Sequence, residues 1–210
     1  MLMESSVDNL MPEHRSHQRR CWSMALIMLS VAMAVTSIAA NARAEEMPSS
    51  ASLETSGEVP SFYVRAVTGP LAGKSVCYVC RNGDRPAVIV LLRELGADTA
   101  ALLKELDQLV NLNRAHGLRC FAVLLTDNPQ RDASRLQTLA FDEKINIPLT
   151  LAGQAAIQGS TLAFPGESAL SVITYSDRKI VQRFSFRSGL CDEKSRQLIL
   201  AASQKLLAPD

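Results

Sequence analysis

Histidine and tryptophan are nearly absent from this chain of 210 residues, which has three histidines and one tryptophan. Trp22 and two of the histidines lie within the first 44 residues, so residues 45–210 keep only His116. A metal site that needs two histidines from one chain is therefore excluded in that part. We accordingly expect neither a bound metal nor a cofactor.

Net charge is also absent from the main part of the chain. Residues 45–210 contain 18 lysines and arginines and 18 aspartates and glutamates. A protein that binds nucleic acid needs a basic surface to neutralise phosphates. The balance therefore argues against a nucleic-acid partner, whereas a protein partner is compatible with it.

The longest apolar run lies near the N-terminus. Three arginines precede the uncharged run 22–40, and Ala42 and Ala44 supply the small-x-small pattern that signal peptidase recognises. We predict that residues 1–44 are a secretory signal, which implies a periplasmic or secreted protein that begins at Glu45. The alternative is an uncleaved anchor, because about 19 apolar residues can span a bilayer. Contact with a membrane is expected only in that case.

The rest of the chain is predicted to be one folded domain that follows a linker. Residues 45–60 are rich in Ser, Glu and Ala without an apolar period, so we predict a disordered linker, and the domain takes 61–210. β-rich or apolar segments predict six strands: 62–67, 75–79, 87–92, 118–126 and a hairpin of 169–175 with 179–186. Helical periodicity and caps predict three helices: 98–115, about 128–144 and 191–207.

The stretch "GPLAGKS" looks like the end of a phosphate-binding loop. Such a loop needs a glycine five residues before the Gly of Gly-Lys-Ser, and Thr68 occupies that position. It must also open a helix, whereas "SVCYV" after Lys74 has the composition of a strand. We therefore predict a β-turn with a solvated lysine and no nucleotide binding.

The order of elements over residues 62–207 resembles the thioredoxin-like superfamily, in particular its AhpC/TSA-like and TlpA-like branches. The run "GPxxGKxxCYxCRxGxRP" is similar to a group of secreted bacterial thioredoxin-like proteins of unassigned activity. The resemblance implies an α/β fold: a central mixed sheet with a parallel βαβ unit, followed by a C-terminal β-hairpin and a helix.

The active site usual in that superfamily is missing from this sequence. Its catalytic cysteine follows the central strand and begins the first helix, but the matching residues 93–98, "RELGAD", contain no cysteine. Its cis-proline position falls on Ala169, and no Trp-Cys pair exists in residues 45–210. Redox chemistry would have to use other cysteines.

Cys77 and Cys80 form a C-x-x-C pair that precedes the central strand instead of following it. In an oxidising compartment we expect these neighbours to form a disulfide. One interpretation makes them a displaced catalytic pair in a thiol–disulfide exchange protein. The other makes the disulfide structural, in a non-catalytic module that binds a protein. A metal-binding pair would need two further soft ligands and is a distant third.

Neighbouring residues support both main interpretations of the pair. Lys74, Arg81 and Arg85 would favour a thiolate and hence redox cycling. Tyr78 and Val79 between the cysteines favour a β-bonded, partly buried segment. That favours a structural bridge, for which we expect a reduction potential below about −300 mV.

The two remaining cysteines of residues 45–210 are predicted to be structural. Cys120 alternates with apolar residues in a buried strand, as a core cysteine does. Cys191 is predicted to begin the last helix, beside two acidic residues that would oppose a thiolate. The topology places Cys77 and Cys80 at the amino end of the central strand and Cys191 near its carboxyl end.

Overall fold

The computed structural model describes residues 57–207. The predicted signal 1–44 and most of the predicted linker lie outside them. Within the described part, no helix is both long and apolar enough to cross a membrane.

The described chain forms seven strands and four α-helices. The strands are β1 (Val64–Ala66), β2 (Ser75–Val76), β3 (Ala87–Leu92), β4 (Arg119–Leu125), β5 (Leu149–Ala152), β6 (Leu170–Ser176) and β7 (Lys179–Phe186). The helices are α1 (Tyr78–Asn82), α2 (Ala97–Leu112), α3 (Pro129–Asp142) and α4 (Glu193–Lys205). Short 3-10 turns lie at Arg114–His116 and Gln154–Ala156.

All seven strands belong to one mixed sheet in the order β2-β1-β5-β4-β3-β6-β7. β3, β4 and β5 are parallel, whereas β6 is antiparallel to β3 and pairs with β7 in a hairpin. The predicted α/β architecture, with its parallel βαβ unit, C-terminal hairpin and closing helix, is therefore confirmed.

Two elements, the strand β5 and the helix α1, were not predicted. β5 is only four residues long and shows no alternation, because its first three residues are all buried. α1 replaces most of the strand expected at 75–79, of which only Ser75 and Val76 are extended. Both are too short for a hydrophobic period to identify them.

The domain also begins earlier than 61, which corrects the end of the predicted linker. Val59 is fully buried, and its backbone N–H donates to the carbonyl of Arg178 at 2.8 Å. Glu58 forms a β-bridge with Lys179. The domain includes these residues because Val59 packs in the cluster of buried apolar side chains on one face of the sheet.

The central strand β3 separates two apolar clusters, and all six of its residues are completely buried. Val88, Val90 and Leu92 face the cluster formed with α2, α3 and α4. Ala87, Ile89 and Leu91 face a second cluster that includes α1 and the N-terminal segment. A strand covered on both faces has a continuous apolar sequence, as predicted.

The two predicted turns are present. Asp177 and Arg178 have φ of 51° and 61°, the left-handed pair that a two-residue hairpin turn requires. The stretch "GPLAGKS", which looks like the end of a phosphate-binding loop, is a turn. In it the N–H of Gly73 donates to the carbonyl of Ala66 at 2.8 Å. The strand β2 follows it directly, and Lys74 is exposed, as expected.

We expect the α2 face to carry much of the stability. Leu106 is completely buried under the sheet, whereas Leu112 on the same helix is 81% exposed. Leu106→Ala should lower the free energy of unfolding by about 2–5 kcal/mol, because it leaves a cavity. Leu112→Ala should change it by less than about 0.5 kcal/mol. Urea denaturation of both variants checks this, and equal effects would contradict the assignment of the buried face.

Candidate functional site

The Cys77–Cys80 pair is joined by a disulfide at the start of α1. Cys77 is the extended N-cap residue, with φ −96° and ψ 99°, and its Sγ accepts a hydrogen bond from the backbone N–H of Cys80 at 3.2 Å. The Cα atoms are 5.4 Å apart. The expectation of a β-bonded segment around Tyr78 and Val79 was therefore wrong.

Local caps explain why these residues turn into a helix despite their strand-like composition. Gly83 ends α1 with a positive φ of 59°, and its N–H donates to the carbonyl of Val79 at 3.2 Å. The guanidinium of Arg85 folds back and donates to the carbonyls of Arg81 and Asn82, each at 2.9 Å. Glycine after Asn82 was the one sequence signal for this helix end.

Packing fixes α1 against the sheet. The ring of Tyr78 stacks on Phe121 of β4 with centroids 5.1 Å apart, and Val79 is fully buried. Asn82 donates its amide N–H to the hydroxyl of Tyr175 at 3.2 Å. Tyr175 pairs with Ala87, the first residue of β3. The disulfide therefore lies over the amino-terminal half of the central strands, as the topology predicts.

The two bridged cysteines differ in accessibility. Cys77 is 6% exposed, whereas Cys80 is an exposed residue on the outer face of α1. An external thiol can therefore approach the bridge from the Cys80 side. Sequence reasoning missed this difference because it depends on which face of a five-residue helix is covered.

The expected cationic surroundings are only partly present. Arg85 is bound to backbone carbonyls at the end of α1, and Lys74 is exposed before β2. Arg81 lies on α1 itself, where its charge opposes the rise that burial causes in the pKa of Tyr78. Of these three cations, Arg81 is the one that lies on the same helix as the disulfide.

The positions of the usual superfamily site hold a different arrangement. The guanidinium of Arg93 lies over the ring of Phe164, 4.5 Å from its centroid. Gly96 is the N-cap of α2, and its N–H donates to the hydroxyl of Thr99 at 2.9 Å. Ala169 accepts a hydrogen bond from the N–H of Arg93 at 2.8 Å. This edge of the sheet therefore carries a cation–π contact in place of a thiol.

Cys120 and Cys191 are free and buried. Burial, and secondarily the charge of Asp107, raises the pKa of the Cys120 thiol. Burial likewise raises the pKa of Cys191 to about 12. Cys191 does not begin the last helix, because Asp192 is the cap and its carboxylate accepts from the N–H of Ser195 at 2.9 Å. Neither thiol has the features of a nucleophile.

Cys191 lies at the other end of the sheet from the disulfide. It follows Phe186, which pairs with Leu170, and Leu170 pairs with Leu92 at the carboxyl end of β3. The structure thus brings Cys77 and Cys80 together, places Cys191 at the opposite end of the sheet and leaves Cys120 unbridged in β4. Across residues 57–207, no group of three or more His, Cys, Asp or Glu side chains could hold a metal ion.

Comparison with known proteins rests on structure alone, because neither a family model nor a curated protein sequence matches the chain. The peroxidoxin BcpB of Mycobacterium tuberculosis is similar at a TM-score of 0.55 and 14% identity, over 72% of this chain and 97% of that one. The bacterioferritin comigratory protein of Xanthomonas campestris is similar at 0.55 and 13%, over 74% and 100%.

A third similar structure is a secreted disulfide oxidoreductase of Mycobacterium tuberculosis that is homologous to DsbE of Escherichia coli. Its TM-score is 0.51 at 10% identity, over 68% of this chain and 96% of that one. The chain therefore has the thioredoxin-like fold that the order of its elements predicts. At these identities the likeness establishes the fold and does not assign an activity.

Thiol labelling should follow the burial pattern. Within residues 45–210 of the oxidised native protein we expect no alkylation, because two of the four cysteines there are bridged and two are buried. After mild reduction Cys80 should be labelled before Cys77, and Cys120 and Cys191 should react only on unfolding. With a pKa of about 12, Cys191 stays neutral from pH 7 to 9, so its labelling should not accelerate there. Mass spectrometry checks this, and early labelling of Cys191 would contradict its burial.

Proposed function

We propose that the protein is an exported thiol–disulfide exchange protein that uses Cys77 and Cys80. The observation that carries this proposal is a disulfide between a buried and an exposed cysteine at the start of a helix. The thioredoxin-like fold supports it, since a disulfide oxidoreductase and peroxidoxins share that fold. The pair occupies a different place in the fold, before the central strand.

Exposure assigns an order to the two sulfurs. A thiolate of a dithiol protein attacks Cys80 Sγ, the Cys77–Cys80 bond breaks, and its electron pair moves to Cys77 Sγ. The second thiol of the partner then loses its proton and attacks the partner's own bridged sulfur. This releases Cys80 as a thiolate, which takes up a proton. The partner leaves with a disulfide, and Cys77 and Cys80 are left reduced.

The leaving sulfur is placed to carry negative charge. The N–H of Cys80 already points at Cys77 Sγ from 3.2 Å, and hydrogen bonds to an ionised acceptor are stronger than those to a neutral one. Cys77 also stands at the N-terminal end of α1, where thiolates are stabilised. The buried cysteine is therefore the leaving thiolate when the bridge opens. In the reverse reaction, in which reduced Cys80 attacks a partner's disulfide, Cys77 is the thiol that resolves the mixed disulfide.

The proposed partner is a protein. Cys80 lies on the solvent-exposed face of α1 and is not a lining residue of any of three cavities formed by residues 57–207. A sulfur on this exposed face is accessible to a protein thiol, and none of these cavities surrounds it as a pocket would surround a small substrate. The balanced charge of residues 45–210 is compatible with a protein partner and argues against a nucleic-acid partner.

Single cysteine variants test the order of attack. Cys77→Ser leaves an exposed Cys80 thiol, which can attack a disulfide of a partner protein and should accumulate as the mixed disulfide, because no Cys77 thiol remains to resolve it. Cys80→Ser should accumulate far fewer, because Cys77 is buried. Cys120→Ala is the matched control and should behave as the wild type. Non-reducing electrophoresis with mass spectrometry checks this, and equal trapping in both serine variants would refute the assigned order.

The reduction potential separates exchange from a structural role. We expect the Cys77–Cys80 pair to lie between about −120 and −270 mV, the range of working oxidoreductases, and to support insulin reduction that Cys77→Ser abolishes. A potential below about −300 mV without insulin reduction would instead favour the non-catalytic module with a structural bridge. Equilibration with glutathione buffers measures it.

Export has its own test, independent of activity. The uncharged run 22–40 followed by Ala42 and Ala44 leads us to expect a mature protein that begins at Glu45. N-terminal sequencing of the protein from a periplasmic or secreted fraction checks the site. A membrane-bound product that retains residues 1–44 would contradict cleavage and support the anchor.

A further inference from the structure

A cavity of about 740 Å³ lies at the amino ends of the parallel strands, at the edge of the sheet near α1. Its wall combines the turn after β1, one face of α1, the end of α2, the start of β4 and the loop before β5. The volume is within the range of small-molecule sites. Tyr78 and Asn82 face it from α1, whereas Cys80 is not among its lining residues. The disulfide chemistry therefore does not account for this cavity.

The cavity wall is cationic. Arg114 and Arg119 line it and no aspartate or glutamate does. Among residues 57–207, neither arginine takes part in a salt bridge. Arg119 donates through Nη1 to the carbonyls of Leu118, at 2.8 Å, and Arg114, at 3.3 Å. Its Nη2 and Nε have no hydrogen-bond partner among the described residues, so they remain for a ligand.

The arginines repel one another across this edge. Burial lowers the pKa of Arg119, and the charges of Arg85 and Arg114 lower it further. A lowered pKa means that the surroundings disfavour the positive charge. An anion between the guanidinium groups would remove that penalty.

Tyr78 adds a buried donor to the same wall. The residue is 8% exposed, and its hydroxyl is buried without a hydrogen-bond partner in the described protein. A buried hydroxyl left unpaired is unfavourable, and a phenylalanine would stack on Phe121 as well without it. Packing in the fold therefore does not explain why this residue is a tyrosine and not a phenylalanine.

Asp107 is an acidic residue that contacts this wall from inside the fold, and its carboxylate oxygens are already hydrogen-bonded. One carboxylate oxygen accepts from the backbone N–H groups of Asn146 and Ile147, both at 2.8 Å. The other accepts from the side-chain amides of Asn111, at 2.9 Å, and Asn146, at 3.3 Å. Four donors hold its carboxylate inside the fold, and it pairs with neither of the arginines that line the cavity.

We propose that this cavity binds a small molecule through a carboxylate or phosphate group, with Arg114, Arg119 and the Tyr78 hydroxyl as its donors. Arginine forms paired hydrogen bonds to either oxyanion. The cavity is larger than a bare ion needs, so it would accept the rest of an organic anion beside its apolar lining residues.

Binding of citrate and inorganic phosphate to the purified, oxidised protein tests the proposal, with glycerol as the neutral probe. Calorimetry should show saturable binding of at least one anion that weakens as salt is added, and none of glycerol. The stronger anion identifies the class, a carboxylate if citrate and a phosphate if inorganic phosphate. Absence of saturable binding of both anions at millimolar concentration would overturn the proposal.

Three variants locate the site. Tyr78→Phe keeps the stacked ring and should weaken binding about tenfold or more, the loss expected for one hydrogen bond to a charged group. Its melting temperature without anion should not fall, whereas loss of a structural hydroxyl would lower it. Arg119→Gln should weaken binding at least as much. Arg187→Gln, an exposed arginine after β7 at the other end of the sheet, is the matched control. Binding unchanged in Tyr78→Phe and Arg119→Gln would refute the site.

Discussion

The complete burial of β3 is the constraint on which the rest of this fold depends. A strand with no exposed residue needs a covering layer on each face, and only one layer consists of long helices. The other face, with Ala87, Ile89 and Leu91, is covered by short pieces of chain: the N-terminal segment around Val59 and the helix α1. The primary role of α1 is therefore to pack in the core. The disulfide is carried on a helix that the burial of β3 requires.

The chemistry of the bridge follows from this dual role of α1. Its inner face must be apolar, which buries Cys77 with Val79, and its outer face is left to solvent with Cys80. A disulfide between neighbours encloses too few residues to add much stability through chain entropy. Reduction should therefore leave α1 in place, since the stacking of Tyr78 on Phe121 and the bond from Asn82 to Tyr175 do not depend on sulfur. A helix that survives reduction can cycle between the two redox states.

The sequence was most informative where a segment has a long hydrophobic period or where a turn needs a special backbone angle. The continuous run 87–92 predicted a strand buried on both faces, and the buried stripe of α2 appeared at helical spacing. The site was only half predictable. The pair Cys77 and Cys80 and its place near the start of the central strand follow from chain order. The helical start does not, because valine and tyrosine favour strands and only packing against Phe121 overrides them. Likewise, nothing in the residues near Arg119 indicates that distant segments close a cavity around it.

The two outer strands of the sheet are protected unequally. β2 has only two residues, so it presents almost no edge to another chain. β7 has eight, and the segment before β1 covers its beginning: Glu58 bridges to Lys179, and the N–H of Ile180 donates to the carbonyl of Gly57 at 2.9 Å. Open strand edges are templates for aggregation. The few residues at the start of the domain thus cover this strand edge and hinder self-association. Removal of the chain up to Val59 would expose the backbone of β7 to a second molecule.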